Sequence, residues 1–153
     1  MTVKRIPDGY HAVTPYLIVR GAAAAIDFYT RAFGAREKSR MADPSGKVGH
    51  AELEFGDSRV MLADEFPDLG ITGPQTLGGT SVLMLLYVED VDARFQQAVA
   101  AGATVTRPLA DQFYGDRSGT LKDPFGHCWT LASHVEDVPV EEMKRRMEAA
   151  LKG

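Results

Sequence analysis

A turn near the end of the chain constrains the fold more than any other stretch. Residues 116–131 read Asp-Arg-Ser-Gly-Thr-Leu-Lys-Asp-Pro-Phe-Gly-His-Cys-Trp-Thr-Leu. Within them Asp123-Pro124-Phe125-Gly126 is a turn: proline pre-sets φ, glycine supplies the permissive position, and aspartate bonds its own backbone. Arg117–Lys122 and His127–Ala132 flank it as runs suited to strands, so the stretch is a β-hairpin. The rest of the chain must supply the sheet that this hairpin joins.

It does so twice. His11–Val19 reads as a strand, with Val13, Tyr16, Ile18 and Val19 giving β-branched and aromatic character. Ala22–Phe33 has helical spacing at Ala25, Ile26, Tyr29 and Phe33, and Gly34 stops it. Ala35–Met41, Val48–Phe55 and Arg59–Asp64 follow as strands, parted by turns at 43–46 and 56–57. The segment 65–80 holds Pro67, Gly70, Gly73, Pro74, Gly78 and Gly79 without a sustained period, so it reads as a linker or a loop over a cleft. The order then restarts: strand Ser81–Val88, helix Asp90–Ala101, strand Thr104–Arg107, and the hairpin. Phe33-Gly34-Ala35 closes the first helix and Ala101-Gly102-Ala103 the second. The reading is one α+β domain of two βαβββ halves, 11–64 and 81–133. A last helix at 137–152, with Glu141 and Glu142 in its first turn, carries an apolar stripe of Val140, Met143, Met147, Ala150 and Leu151. That stripe has to bury against its own sheet or against a partner.

Composition excludes several classes. With 153 residues the chain can bury a core without staples. Its net charge is −4 with both signs interspersed, which leaves no basic stripe for nucleic acid. No apolar run reaches membrane-spanning length, and the first residues lack the apolar core of a signal peptide. Cys128 is the single cysteine, so no internal disulfide can form and a cytoplasmic location is the expectation.

The blocks Asp90-Val91-Asp92-Ala93, Ala101–Val105, Ala110–Gly119, Asp123–His127 and His134–Val138 resemble the vicinal oxygen chelate superfamily. Within it, they resemble the PhnB-like glyoxalase/bleomycin-resistance/dioxygenase branch. The resemblance implies two βαβββ modules whose curved mixed sheet forms a cleft, with the halves facing one another and the helices outside. It also implies a homodimer and a small-molecule ligand. Metal-binding members place four ligands on the opening strand and a later strand of each half, and counting along the motifs puts Thr14, Glu52, Leu83 and Thr130 there. Only glutamate in that set is a ligand for zinc or nickel. The expectation is therefore no metal and no other cofactor, the alternative being a divalent ion recruited by His50 and Glu52.

Strand periodicity fills in the cleft walls. If Glu52 faces the cleft, so do His50 and Glu54, and the same rule groups Thr14 with Tyr16, Leu83 with Leu85 and Tyr87, and Cys128 with Thr130. Trp129 then falls in the core. Phe113 and Tyr114, on a loop ending in Gly115, are candidates for a lid. Arg117 beside Asp116 is either an anion clamp or a salt bridge that pins the hairpin. Two functions fit: a small-molecule binding or sequestering protein, or a divergent lyase or isomerase with Glu52 as catalytic general base.

Overall fold

The computed structural model describes residues 2–153. Its elements run β1 (Tyr16–Val19), α1 (Ala22–Phe33), β2 (Arg36–Ala42), β3 (Val48–Phe55), β4 (Ser58–Asp64), α2 (Pro74–Leu77), β5 (Leu83–Tyr87), α3 (Val91–Ala101), β6 (Thr104–Asp111), β7 (Asp116–Lys122), β8 (Cys128–His134) and α4 (Val140–Lys152). The strands form two four-stranded sheets, ordered β1-β4-β3-β2 and β5-β8-β7-β6. In each, the opening strand runs parallel to the closing one and the remaining pairs are antiparallel. Two βαβββ modules of an α+β domain are what the sequence predicts. Among the described residues no helix is long and apolar enough to cross a membrane.

The boundaries differ where local chemistry was ambiguous. β1 begins at Tyr16 rather than at His11. β6 continues through Pro108 to Asp111, with register shifts on both sides of Arg107. Proline is tolerated there because β6 is an edge strand with one unpaired side. The segment after β4 contains a 3-10 turn at Pro67–Leu69 and the single turn α2. Glu65 ties it down, accepting hydrogen bonds from the Thr76 hydroxyl, the Gly73 N–H and Arg20. These bonds hold the Glu65 carboxyl at about 2, the Thr76 hydroxyl first among them.

The modules meet in the opposite sense to the expected one. Leu17, Val19, Leu53, Phe55 and Leu62 of the first sheet share one core with Leu121, Trp129 and Leu131 of the second, and α1 and α3 pack on each other. Trp129 stacks on Phe55 at 5.3 Å between ring centroids and lies 4.8 Å from Phe33. The helix-bearing faces of the sheets therefore turn inward, and the other faces point outward on separate sides. The helices are not outside, and the two halves of one chain do not face each other across a cleft. Periodicity shows which face of a strand is covered, but not which module covers it.

The turn at 123–126 is where the modules lock. Asp123 Oδ1 accepts the N–H groups of Phe125 at 2.9 Å and His127 at 3.0 Å. Its Oδ2 accepts the Tyr29 hydroxyl at 2.5 Å and the Trp129 indole N–H at 2.9 Å. Burial, then the Asp123 charge, pushes the Tyr29 phenol well above its usual range, so it stays a donor. At the other end of α1, whose N-terminus has no side-chain cap of its own, Asp64 accepts the N–H groups of Gly21 and Ala22.

Candidate functional site

Each open face is a pattern of alternate residues. On the first sheet it carries Tyr16, Met61, Glu52 and Ser39 in one cross-strand row and Arg59, Glu54 and Arg36 in the next. On the second, Leu85, Thr130, Thr120 and Arg107 form one row, and Leu83, Cys128 and Lys122 another. Leu83, Leu85 and Tyr87 are about half exposed, at 52%, 50% and 59%, and Tyr16 is 46% exposed. Apolar side chains in such number on one strand face are unusual for a surface that stays bare.

The registers correct the placing of the ligand positions. Tyr16 pairs with Met61 in the first sheet as Leu85 pairs with Thr130 in the second. The module equivalent of Thr130 on β8 is thus Met61 on β4. Glu52 stands one strand further out on β3, opposite Met61, in the place that Thr120 occupies on β7. Counting along the sequence cannot tell these two strands apart. The opening-strand position at Thr14 lies just before β1, its hydroxyl donating to the His11 carbonyl at 3.2 Å. Its module equivalent is Leu83. Threonine, methionine, leucine and threonine do not make a divalent-metal site. Among the described residues no three His, Cys, Asp or Glu side chains gather as a ligand set elsewhere.

Glu52 nonetheless belongs to a network. The Tyr16 hydroxyl and His50 Nδ1 are 2.7 Å apart, His50 Nε2 lies 3.6 Å from Glu52, and Ser39 donates to Glu52 at 3.1 Å. Partial burial raises the Tyr16 phenol, which favours its neutral form. Glu54 is different in kind: Arg36 and Arg59 both engage it, the Arg36 hydrogen bond doing most to hold its carboxyl below the usual range. Glu52 has no Lys or Arg partner among the described residues.

The second sheet's open face holds a depression of about 440 Å³ lined by Leu83, Leu85, Tyr114, Thr120, Thr130 and Arg107, among others. The Thr120 and Thr130 hydroxyls bond each other across it at 2.8 Å. Tyr114 lines it and meets Phe113 edge to face, and the Phe113 carbonyl accepts a hydrogen bond from Arg146 of α4. Arg117 lies apart, on the helix side of the sheet. It makes two hydrogen bonds to Asp92 of α3, at 2.9 and 2.8 Å, and a longer one to Asp111. It pins the hairpin rather than lining the depression.

Sequence reasoning passed over three residues. Met61 was hidden by the strand ambiguity. Arg107 precedes a proline and looked like a strand end. His134 sits with Nδ1 2.7 Å from buried Asp116 and Nε2 2.7 Å from Asp137, while Tyr87 donates to Asp116 at 2.9 Å. Carboxylates on both nitrogens raise the His134 pKa, the Asp116 hydrogen bond foremost. A raised histidine pKa gives stability that is fully present below the unfolded value near 6.5 and lost as pH rises through the folded value. The melting-temperature advantage of the wild type over His134→Asn is therefore expected to shrink as pH rises above about 6.5. An advantage that grew with pH in a thermal scan would contradict this placement of the proton.

Comparison with known proteins agrees with this geometry. The family model for the glyoxalase/bleomycin resistance protein/dioxygenase superfamily matches residues 10–131. An uncharacterized protein of Mycobacterium bovis is 46% identical over 142 residues, covering 90% of this chain and 93% of that one. One from Mycobacterium tuberculosis is also 46% identical over 142 residues, covering 90% and 83%. Among solved structures, TioX from Micromonospora sp. ML1 superposes with a TM-score of 0.66 at 29% identity, over 82% of this chain and 99% of that one.

Proposed function

Because this chain belongs to the glyoxalase/bleomycin resistance protein/dioxygenase superfamily, we propose that it is a small-molecule binding or sequestering protein that works without a divalent metal. The resemblance of the five sequence blocks supports a place in the PhnB-like branch. The observation that supports this is the pair of outward faces: one apolar and hydroxyl-rich, the other a mixed face of Tyr16, Met61 and Glu52. Small-molecule sites are concave, mostly apolar and sparsely polar. Each face becomes such a site when the first sheet of one copy closes over the second sheet of another, so the working unit is a homodimer with two clefts. Light scattering at micromolar concentration should give a dimer, and a monomer there would leave both faces uncovered.

A second reading draws on the Tyr16–His50–Glu52 network, which has the order of a proton relay and would suit a lyase- or isomerase-type reaction with Glu52 as general base. Glu52→Gln separates the two. It keeps shape and hydrogen bonding while removing charge, so a binding role predicts an affinity loss on the order of 1 kcal/mol by fluorescence titration. A catalytic role predicts a rate loss of about a hundredfold or more in a turnover assay.

A further inference from the structure

We propose that the depression on the second sheet is a subsite for an organic anion, with Arg107 as the residue that pairs with the acidic group of an otherwise apolar ligand. This rests on reading the open faces as a binding cleft and names the class of ligand that cleft takes.

Arg107 lies on edge strand β6, opposite Thr120, and lines the depression. The register shifts on either side of it mark an irregular edge at this residue. Among the described residues it makes no ion pair and no side-chain hydrogen bond, whereas Arg117 and Arg146 each engage two acidic residues. Lys122, a row away on the same face and paired with Cys128, is likewise without an acidic partner. Asp116, which shares a face of β7 with Thr120, is already engaged by Tyr87 and His134. Arg107 thus stands over a floor of leucine and threonine with no counter-charge among the described residues, while Lys122 borders a neighbouring depression beside Pro74 and Gly126.

Chemistry then selects the ligand. A guanidinium presents a planar fork of donors that matches the paired oxygens of a carboxylate, sulfonate or phosphate. The Thr120–Thr130 hydroxyl pair adds a donor beside it, since two hydroxyls sharing one bond leave one proton free. Leu83 and Leu85 take the apolar body. The combination fits an amphipathic organic acid and not a free inorganic anion, which would gain nothing from the leucines.

Two fluorescent probes of similar ring size test it: the anion anilinonaphthalene sulfonate and the neutral phenylnaphthylamine, titrated into full-length protein in chelator. Wild type should bind both, the anion more tightly, with only the anion weakened by salt. Arg107→Gln should weaken the sulfonate by about fivefold and leave the neutral probe unchanged, while Arg107→Lys keeps most of the difference. Leu85→Asp should remove both, which locates them in the depression. Unchanged sulfonate affinity in Arg107→Gln, or an equal loss of both probes, would overturn the anion subsite and leave the cleft standing. Failure of wild type to bind either probe would overturn the binding reading itself.

Discussion

Asp123→Ala should destabilise the protein by about 3–5 kcal/mol, the largest loss expected from any single polar truncation in this chain. The carboxylate is buried and accepts four hydrogen bonds, two from its own turn and two from Tyr29 and Trp129. Deleting it strands four donors where water cannot replace it. Tyr29 belongs to the first module and Asp123 to the second, so the loss strikes the seam as well as the hairpin. For a chain of this length, a melting temperature lower by roughly ten degrees or more corresponds to that energy. Tyr29→Phe removes one donor and should cost about 1–2 kcal/mol. Denaturant titration checks both, and an Asp123→Ala protein within about 1 kcal/mol of wild type would mean that the turn holds without its carboxylate.

The second large effect is on binding. Leu85 sits midway along the edge strand β5 on the second sheet's open face, half exposed and paired with Thr130. Leu85→Asp places a charge where an apolar ligand and the facing sheet must lie, and a desolvated carboxylate without a partner costs several kcal/mol. Affinity for a neutral apolar probe should fall by about a hundredfold or more. The fold itself should be unaffected, because the side chain points away from the core. A folded Leu85→Asp protein with wild-type affinity would remove this face from the site.

How far the sequence led depends on the residue considered. The Asp123–Gly126 turn, the swing from helical to alternating periodicity and the repeated order were enough for two βαβββ modules. Alternation also put Trp129 in the core and Tyr16, His50, Glu52, Leu83 and Leu85 on the other side, as observed. Interactions distant in sequence were out of reach. Nothing local announces that Arg117 will meet Asp92 from another element, or that Trp129 will stack on Phe55 and so turn the modules helix side to helix side. The choice between β3 and β4 as the strand beside β1 was equally hidden, because both alternate in the same way. That choice moved Glu52 out of the equivalent position and put Met61 there. Arg107 was missed for a simpler reason: a proline follows it, and only the edge position of β6 makes that proline harmless.

In the proposed dimer each cleft is built from the first sheet of one copy and the second sheet of another. Mixing two damaged proteins tests it most directly. Tyr16→Asp spoils only the first sheet's open face and Leu85→Asp only the second's, so neither homodimer retains an intact cleft. After co-refolding or subunit exchange, a heterodimer pairs one intact first face with one intact second face and so recovers one cleft of two. Titration of the mixture with phenylnaphthylamine in chelator should recover wild-type affinity at up to half the sites of each heterodimer. A mixture that binds no more than the sum of its two components, with heterodimers shown to be present, would contradict a cleft shared between copies.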